Sequence, residues 1–251
     1  MGGSSMKKEY KLLALDMDGT LLTSDHIISP VTSTWIQKAK ERGVHVCLST
    51  GRSFESALPY GEELGLLTPM ITVNGSEVWR APHDLLERSL MEPKLISDMH
   101  AIALKEDCWF WAYSTERVYN KDHWVEALEG KEWLKFGFHT EDDEARHRIL
   151  MQLQDMGGLE ITNSSPHNLE VNPQGINKAA GIRKVCDLLG LDMSEVIAVG
   201  DSMNDLAAIQ AAGLGVAMGN AQQVVREAAD FVTASNDEDG IAKVIEKFIC
   251  V

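Results

Sequence analysis

A run of four apolar residues, Leu12-Leu-Ala-Leu15, stops at Asp16 and is followed by Met17, Asp18, Gly19 and Thr20. A short apolar run closed by acids and a glycine predicts a strand buried on both faces, ending in a turn, as in a parallel sheet. Similar runs recur. Val44–Leu48 leads to Ser49-Thr50-Gly51-Arg52, Met70–Val73 to Asn74-Gly75-Ser76, Val196–Val199 to Gly200-Asp201, and Leu214–Met218 to Gly219-Asn220. Helical periodicity lies between them over Pro30–Arg42, Lys178–Leu189, Asn204–Ala212 and Ile241–Phe248, three of these followed by a glycine or ended by one. Strand and helix in alternation predict crossover units: an α/β protein with a Rossmann-like three-layer core around a parallel sheet. Open sheets of this kind collect their chemistry where the strands end. Two carboxylates one residue apart repel each other there unless a cation or a shared proton intervenes. On this segment alone, an acidic strand-to-loop turn is the alternative.

The middle of the chain has another texture. Four of the six tryptophans, at 109, 111, 124 and 133, fall between Pro82 and Pro173, which suggests a second hydrophobic core. Trp109–Tyr113, Trp133–Phe138 and Asn168–Val171 read as strands; Lys94–Lys105 and His147–Met156 read as helices. The expected organisation is a core from residues 1–82 and 174–251 with an α+β unit, 83–173, inserted as a cap. Glu141-Asp-Asp-Glu144 reads as a solvated helix start. The opening Met1-Gly-Gly-Ser-Ser5 reads as a linker remnant ahead of a natural start at Met6.

The net charge of −15 disfavours nucleic acid and anionic membranes as partners, and makes an anionic substrate awkward unless local cations reverse the field. No stretch approaches the ~18 consecutive apolar residues of a membrane helix. Cys47, Cys108, Cys186 and Cys250 form no Cys-x-x-Cys pair, so reduced structural thiols and a cytoplasmic location are expected. The histidines show no metal-ligand spacing.

Four patches fall at strand ends or helix starts: Asp16-Met17-Asp18-Gly19-Thr20, Thr50-Gly51-Arg52, Lys178, and Gly200-Asp201-Ser-Met-Asn204-Asp205. Each alone is compatible with a structural turn. Together they supply carboxylates, a hydroxyl, a lysine and unhindered backbone amides, an inventory that fits phosphoryl transfer with a divalent cation. With Asn74-Gly75 and Asn177-Lys178 in the same order, and Ala217–Ala221 and Asn236–Gly240 near the end, the chain resembles the haloacid dehalogenase superfamily, in its Cof-type phosphatase branch. Met17 and Ser76 depart from the commoner residues there without touching the chemistry.

The resemblance implies a Mg2+-dependent phosphatase of small phosphorylated metabolites, sugar phosphates or related phosphomonoesters, working through an aspartyl-phosphate. Asp16 would be the nucleophile and Asp18 the acid/base, oriented by Thr20. The metal would be held by Asp16, the backbone carbonyl of Asp18, Asp201 and Asp205. Thr50, Lys178, Asn204 and the amides of Met17 and Gly51 would receive the phosphoryl oxygens. Arg52 and Asn74 would face the substrate, with an ion pair securing the turn as the other role for Arg52. Glu170 would either face the leaving group or play no part. A monomer or a homodimer would serve. A phosphomutase of the same superfamily, or a phosphate-binding regulator without catalysis, are the rival functions.

Overall fold

The computed structural model describes residues 9–250; the Met1–Ser5 remnant and the Met6 start lie outside the described residues. Strand β1 (Leu12–Leu15) is the middle of the core, with Leu13 and Leu15 turned to one hydrophobic cluster and Leu12 and Ala14 to the other. That two-sided burial explains why the strand reads as a continuous apolar run. The chain then passes through α1 (Pro30–Glu41), β2 (His45–Leu48) and α2 (Phe54–Glu63). Ser29 caps α1, accepting a bond from the Thr32 amide, and Pro30 occupies the first turn. The periodicity missed α2 because Pro59 sits inside it.

Next come β3 (Met70–Thr72), β4 (Glu77–Ala81) and β5 (Asp84–Arg88), an antiparallel trio joined to the end of β2 by a Ser49–Ile71 bridge. The boundary expected at residues 82/83 falls in the turn between β4 and β5. Trp79 and Leu85 pack on one core cluster and Leu86 on the other, so the hairpin lies against the core. Met91 is the first residue buried in the separate cluster of the insert.

The insert comprises α3 (Pro93–Lys105), β6 (Trp109–Ser114), β7 (Val118–Asn120), β8 (Trp133–His139), α4 (Asp143–Met156), β9 (Leu159–Thr162) and β10 (Asn168–Pro173). Asp142 caps α4, its carboxylate accepting from the Glu144 and Ala145 amides, which accounts for the acidic helix start. Its antiparallel sheet runs β7-β6-β8-β10-β9. Period-two alternation divides the sheet into two faces. Phe110, Phe136, Phe138, Leu169 and Val171 pack on Ile96 and Met99 of α3 and Ile149 and Leu153 of α4. Trp111, Tyr113, Lys135 and Glu170 face the other way.

The chain returns through α5 (Lys178–Leu189), β11 (Val196–Gly200), α6 (Leu206–Ala211), β12 (Leu214–Ala217), α7 (Gln223–Ala228), β13 (Phe231–Val232) and α8 (Gly240–Phe248). The parallel sheet has the order β13-β12-β11-β1-β2. The first crossover leaves β1 to one side and the later ones build on the other, so β1 is the topological switch point. Helices α1, α2, α7 and α8 contribute to one covering cluster and α5 to the other, while α6 gives Ile209 to the first and Ala208 to the second. No helix among the described residues is long and apolar enough to cross a membrane.

The central position of β1 has a stability consequence. Leu13 is fully buried, so Leu13→Ala is expected to destabilise the protein by about 2–5 kcal/mol in urea denaturation. A loss below about 1 kcal/mol would contradict this packing.

Candidate active site

Asp16 follows the last residue of β1, where the switch point opens a crevice between the diverging crossovers. Its Oδ1 accepts a bond of 2.7 Å from Lys178 Nζ, which donates a second bond of 2.7 Å to Asp205 Oδ1. Lys178 is the first residue of α5, fixed there by Asn177, whose side chain caps the helix by accepting from the Ala180 amide. The lysine is 1% exposed. Burial opposes its charge, but Asp16 and Asp205 outweigh burial and raise its pKa. Burial, and then the Asp205 and Asp201 carboxylates, push Asp16 well above the usual carboxylate range against the pull of Lys178.

Asp201 stands beside this pair. Burial and the Asp205 carboxylate push it up to about 6. Asp205 has both oxygens engaged: Oδ1 by Lys178, Oδ2 by the amides of Asp201 (2.9 Å) and Ser202 (3.1 Å). It therefore locks the turn that presents Asp201. Gly200 permits this, since a Cβ there would lie 2.2 Å from Asp205 Cγ. One carboxylate oxygen from each of Asp16, Asp201 and Asp205 lies within 4.8 Å of the others. Three carboxylates against one ammonium leave excess negative charge, and hard oxygen donors of this kind fit a divalent cation such as Mg2+.

Asp18 lies outside that cluster. Arg52 grips it through two bonds, Nε to Oδ2 at 2.7 Å and Nη2 to Oδ1 at 2.6 Å. Burial would raise the Asp18 carboxyl, yet the Arg52 guanidinium holds it below the usual range. Thr20, expected beside Asp18, donates instead to Asp201 Oδ1 at 3.3 Å, because the chain turns back after Asp18 and the Thr20 amide bonds to Met17. Met17 is fully buried.

Thr50 is buried beneath the second loop, its hydroxyl accepting from the Arg52 amide. Asn74 sits in left-handed backbone and does not line the cavity: Nδ2 donates to Glu170 at 2.5 Å, while Oδ1 accepts from Asn204 at 3.3 Å. The Asn204 side-chain oxygen, Oδ1, is buried without a hydrogen-bond partner among the described residues.

A cavity of about 260 Å³ joins the core loops to the insert. Asp16, Asp18, Gly51, Arg52, Asp201, Ser202 and Asn204 line it from the core; Trp111, Tyr113, Lys135, Ser164, Asn168 and Glu170 line it from the insert. Of the insert's contributors, only Glu170 drew attention in the sequence. Trp111, Tyr113, Lys135 and Asn168 lie on the half of an alternating sheet that ordinarily faces water, and Ser164 lies in the loop between β9 and β10. Lys135 is the informative exception, a lysine with 1% exposure inside an aromatic strand. Its Nζ donates to the Gly51 carbonyl at 2.9 Å and to Glu170 Oε2 at 3.2 Å, so it ties the insert to the core. Burial opposes the Glu170 charge, but Lys135, Asn74 and Ser164 together hold its pKa below the ordinary value. The C-terminal motifs act from behind. Asn220 donates to the Gly19 carbonyl, Asn236 to the Leu22 carbonyl, and Asp237 accepts from Ser24, pinning the loop after Asp18.

Fold and site together define a hydrolase-type Rossmann-like core carrying an inserted α+β unit. The family model of haloacid dehalogenase-like hydrolases matches residues 13–147 and 120–245. A 5-amino-6-(5-phospho-D-ribitylamino)uracil phosphatase of Bacillus subtilis is 46% identical over 96% of each chain. A second protein of that name from the same organism is 30% identical over 97% of this chain and 99% of its own. The solved structure of a subclass IIB sugar phosphatase of the superfamily superposes with a TM-score of 0.85 at 25% identity, covering 96% of this chain and 100% of that one. The chain belongs to the haloacid dehalogenase-like hydrolase family, in its Cof-type branch, and is an enzyme of the phosphatase class.

The buried Lys135–Glu170 pair sets a pH dependence. Glu170→Gln leaves the Lys135 charge unpaired, with an expected cost of about 3–5 kcal/mol at pH 7. Because the Glu170 pKa is lowered from 4.5 by folding, the wild-type advantage is complete above that value and disappears as the pH falls through the folded-state pKa. Denaturation of both proteins between pH 7 and 3 checks this; a gap that widens on acidification would contradict it.

Proposed function

We propose that this protein is a Mg2+-dependent phosphatase of small phosphorylated metabolites that works through an aspartyl-phosphate on Asp16. One observation carries the proposal: Asp16 is held by buried Lys178, clustered with Asp201 and Asp205, and shares a cavity with Asp18. Mg2+ would be held by Asp16, Asp201 and the Asp18 carbonyl, with Asp205 supporting them, and would supply neutralisation of phosphoryl charge. An Asp16 oxygen attacks phosphorus in line while the bond to the ester oxygen breaks. Lys178, Asn204, the Thr50 hydroxyl and the Met17 and Gly51 amides receive phosphoryl oxygens. Asp18 protonates the departing alkoxide and then takes a proton from the water that hydrolyses the acyl phosphate, restoring Asp16. Arg52 favours the ionised form of Asp18, so its two bonds must loosen for Asp18 to gain a proton.

The substrate is a phosphomonoester of a sugar or polyol, and the relatives named for 5-amino-6-(5-phospho-D-ribitylamino)uracil support a ribityl phosphate of that kind. A phosphomutase must hold two phosphoryl groups. Of the cations lining this cavity among the described residues, Arg52 pairs with Asp18 and Lys135 is held by buried Glu170, so at most Arg52 could serve a second phosphoryl group, which favours a monophosphate. A non-catalytic regulator would have no use for two aspartates in separate roles. The four free cysteines, three of them buried, support a reducing, cytoplasmic location, and the protein acts as a monomer or homodimer.

Release of inorganic phosphate from 5-amino-6-(5-phospho-D-ribitylamino)uracil and a panel of sugar phosphates tests the proposal. The wild type is expected to require added Mg2+ and to be silenced by chelation. Asp16→Asn is expected to lose at least about 10³-fold in kcat. Asp16→Asn with wild-type turnover, or full activity in excess chelator, would overturn it.

A further inference from the structure

We propose that Trp111 and Tyr113 of β6 are specificity-determining residues that receive a planar heterocycle on the leaving alcohol; this rests on the phosphatase function proposed above. The two side chains lie two residues apart on one strand, so they project from the same face of the insert sheet, and both line the cavity that contains Asp16. Trp111 is positioned by a built feature of that sheet. It stands opposite Gly137 on β8, where a Cβ would lie 2.1 Å from its Cε2. The indole therefore lies against bare backbone, a placement no other residue at 137 would allow. Tyr113 is steadied by Lys135, whose Nζ stands 4.6 Å from its ring centroid.

The state of the neighbouring polar groups selects the ligand chemistry. Lys135 and Glu170 neutralise each other. Asn168 spends its oxygen on the Ser164 and Ser165 amides and its nitrogen on the Ser164 hydroxyl, which in turn donates to Glu170. By contrast, neither the Trp111 indole N–H nor the Tyr113 hydroxyl has an acceptor among the described residues, and neither is an atom buried without a partner. A bare polyol or sugar needs many unspent partners for its hydroxyls. A flat ring bearing carbonyl oxygens needs an aromatic face and a few donors, and those are the groups the insert side of the cavity leaves free. The insert thus favours a phosphomonoester whose alcohol ends in a planar, carbonyl-bearing heterocycle over the ring-less polyol phosphate.

The experiment compares kcat/KM for 5-amino-6-(5-phospho-D-ribitylamino)uracil and for ribitol 5-phosphate, which lacks the ring. The wild type is expected to prefer the ring-bearing ester. In Trp111→Ala the ratio of the two values is expected to fall about 10- to 100-fold, as for loss of a base-stacking aromatic. Tyr113→Phe, which keeps the ring and its packing, is expected to lower the ratio by a smaller factor, and Trp111→Phe to restore much of it. An unchanged ratio in Trp111→Ala and Tyr113→Phe, or a wild type that prefers ribitol 5-phosphate, overturns the assignment and leaves the phosphatase function standing. Absence of phosphate release by the wild type from both esters and from a panel of phosphomonoesters overturns that function instead.

Discussion

One buried ammonium organises this molecule. Lys178 Nζ, 2.7 Å from both Asp16 and Asp205, offsets part of the repulsion between two buried carboxylates, although burial and the neighbouring acids still hold Asp16 above the usual carboxylate range. Each partner arrives on a different element: Asp16 after the central strand, Lys178 at the start of α5, Asp205 in the turn after β11. The ion pairs therefore bind three distant segments at the switch point. A buried salt bridge of this kind is weak evidence for stability and better evidence for a site whose charge is needed. A single ammonium leaves the third carboxylate, Asp201, uncompensated, and that surplus is what a divalent cation would neutralise.

The insert sheet is used twice. One face is an ordinary aromatic core under two helices. The other carries Trp111 and Tyr113 beside polar residues and meets the core loops through Lys135, Glu170 and Asn172, the last of which donates to the Val73 carbonyl and to Ser76. Val73 and Asn74 both occupy left-handed backbone, a strained pair gripped from the insert side. The acidic groups of the core and the aromatic and polar groups of the insert thus share one cavity across this seam.

The core was legible in the sequence for a physical reason. Strands buried on both faces read as continuous apolar runs, and the acids that end them stand out against hydrocarbon. Asp16, Asp201, Asp205 and Lys178 are brought together as their positions suggested. What was hidden depended on tertiary partners. Pro59 concealed α2, and β5, which lies beyond the boundary expected at residue 83, packs on the core with β4. Thr20 serves Asp201 and not Asp18 because of a turn that spacing does not specify. The site face of the insert was the least visible part, since Trp111 and Tyr113 alternate with core residues and look like the outer side of any half-buried sheet. Only burial distinguishes Lys135 from a solvated lysine.

The central claim is that Asp16 carries the phosphoryl group between substrate and water. Acid quenching within the first turnover, followed by borohydride reduction and peptide mass spectrometry, tests it most directly. Conversion of residue 16 to homoserine is the expected result. An unmodified Asp16, with alcohol and phosphate released in step or the phosphoryl group found on another residue, would contradict it.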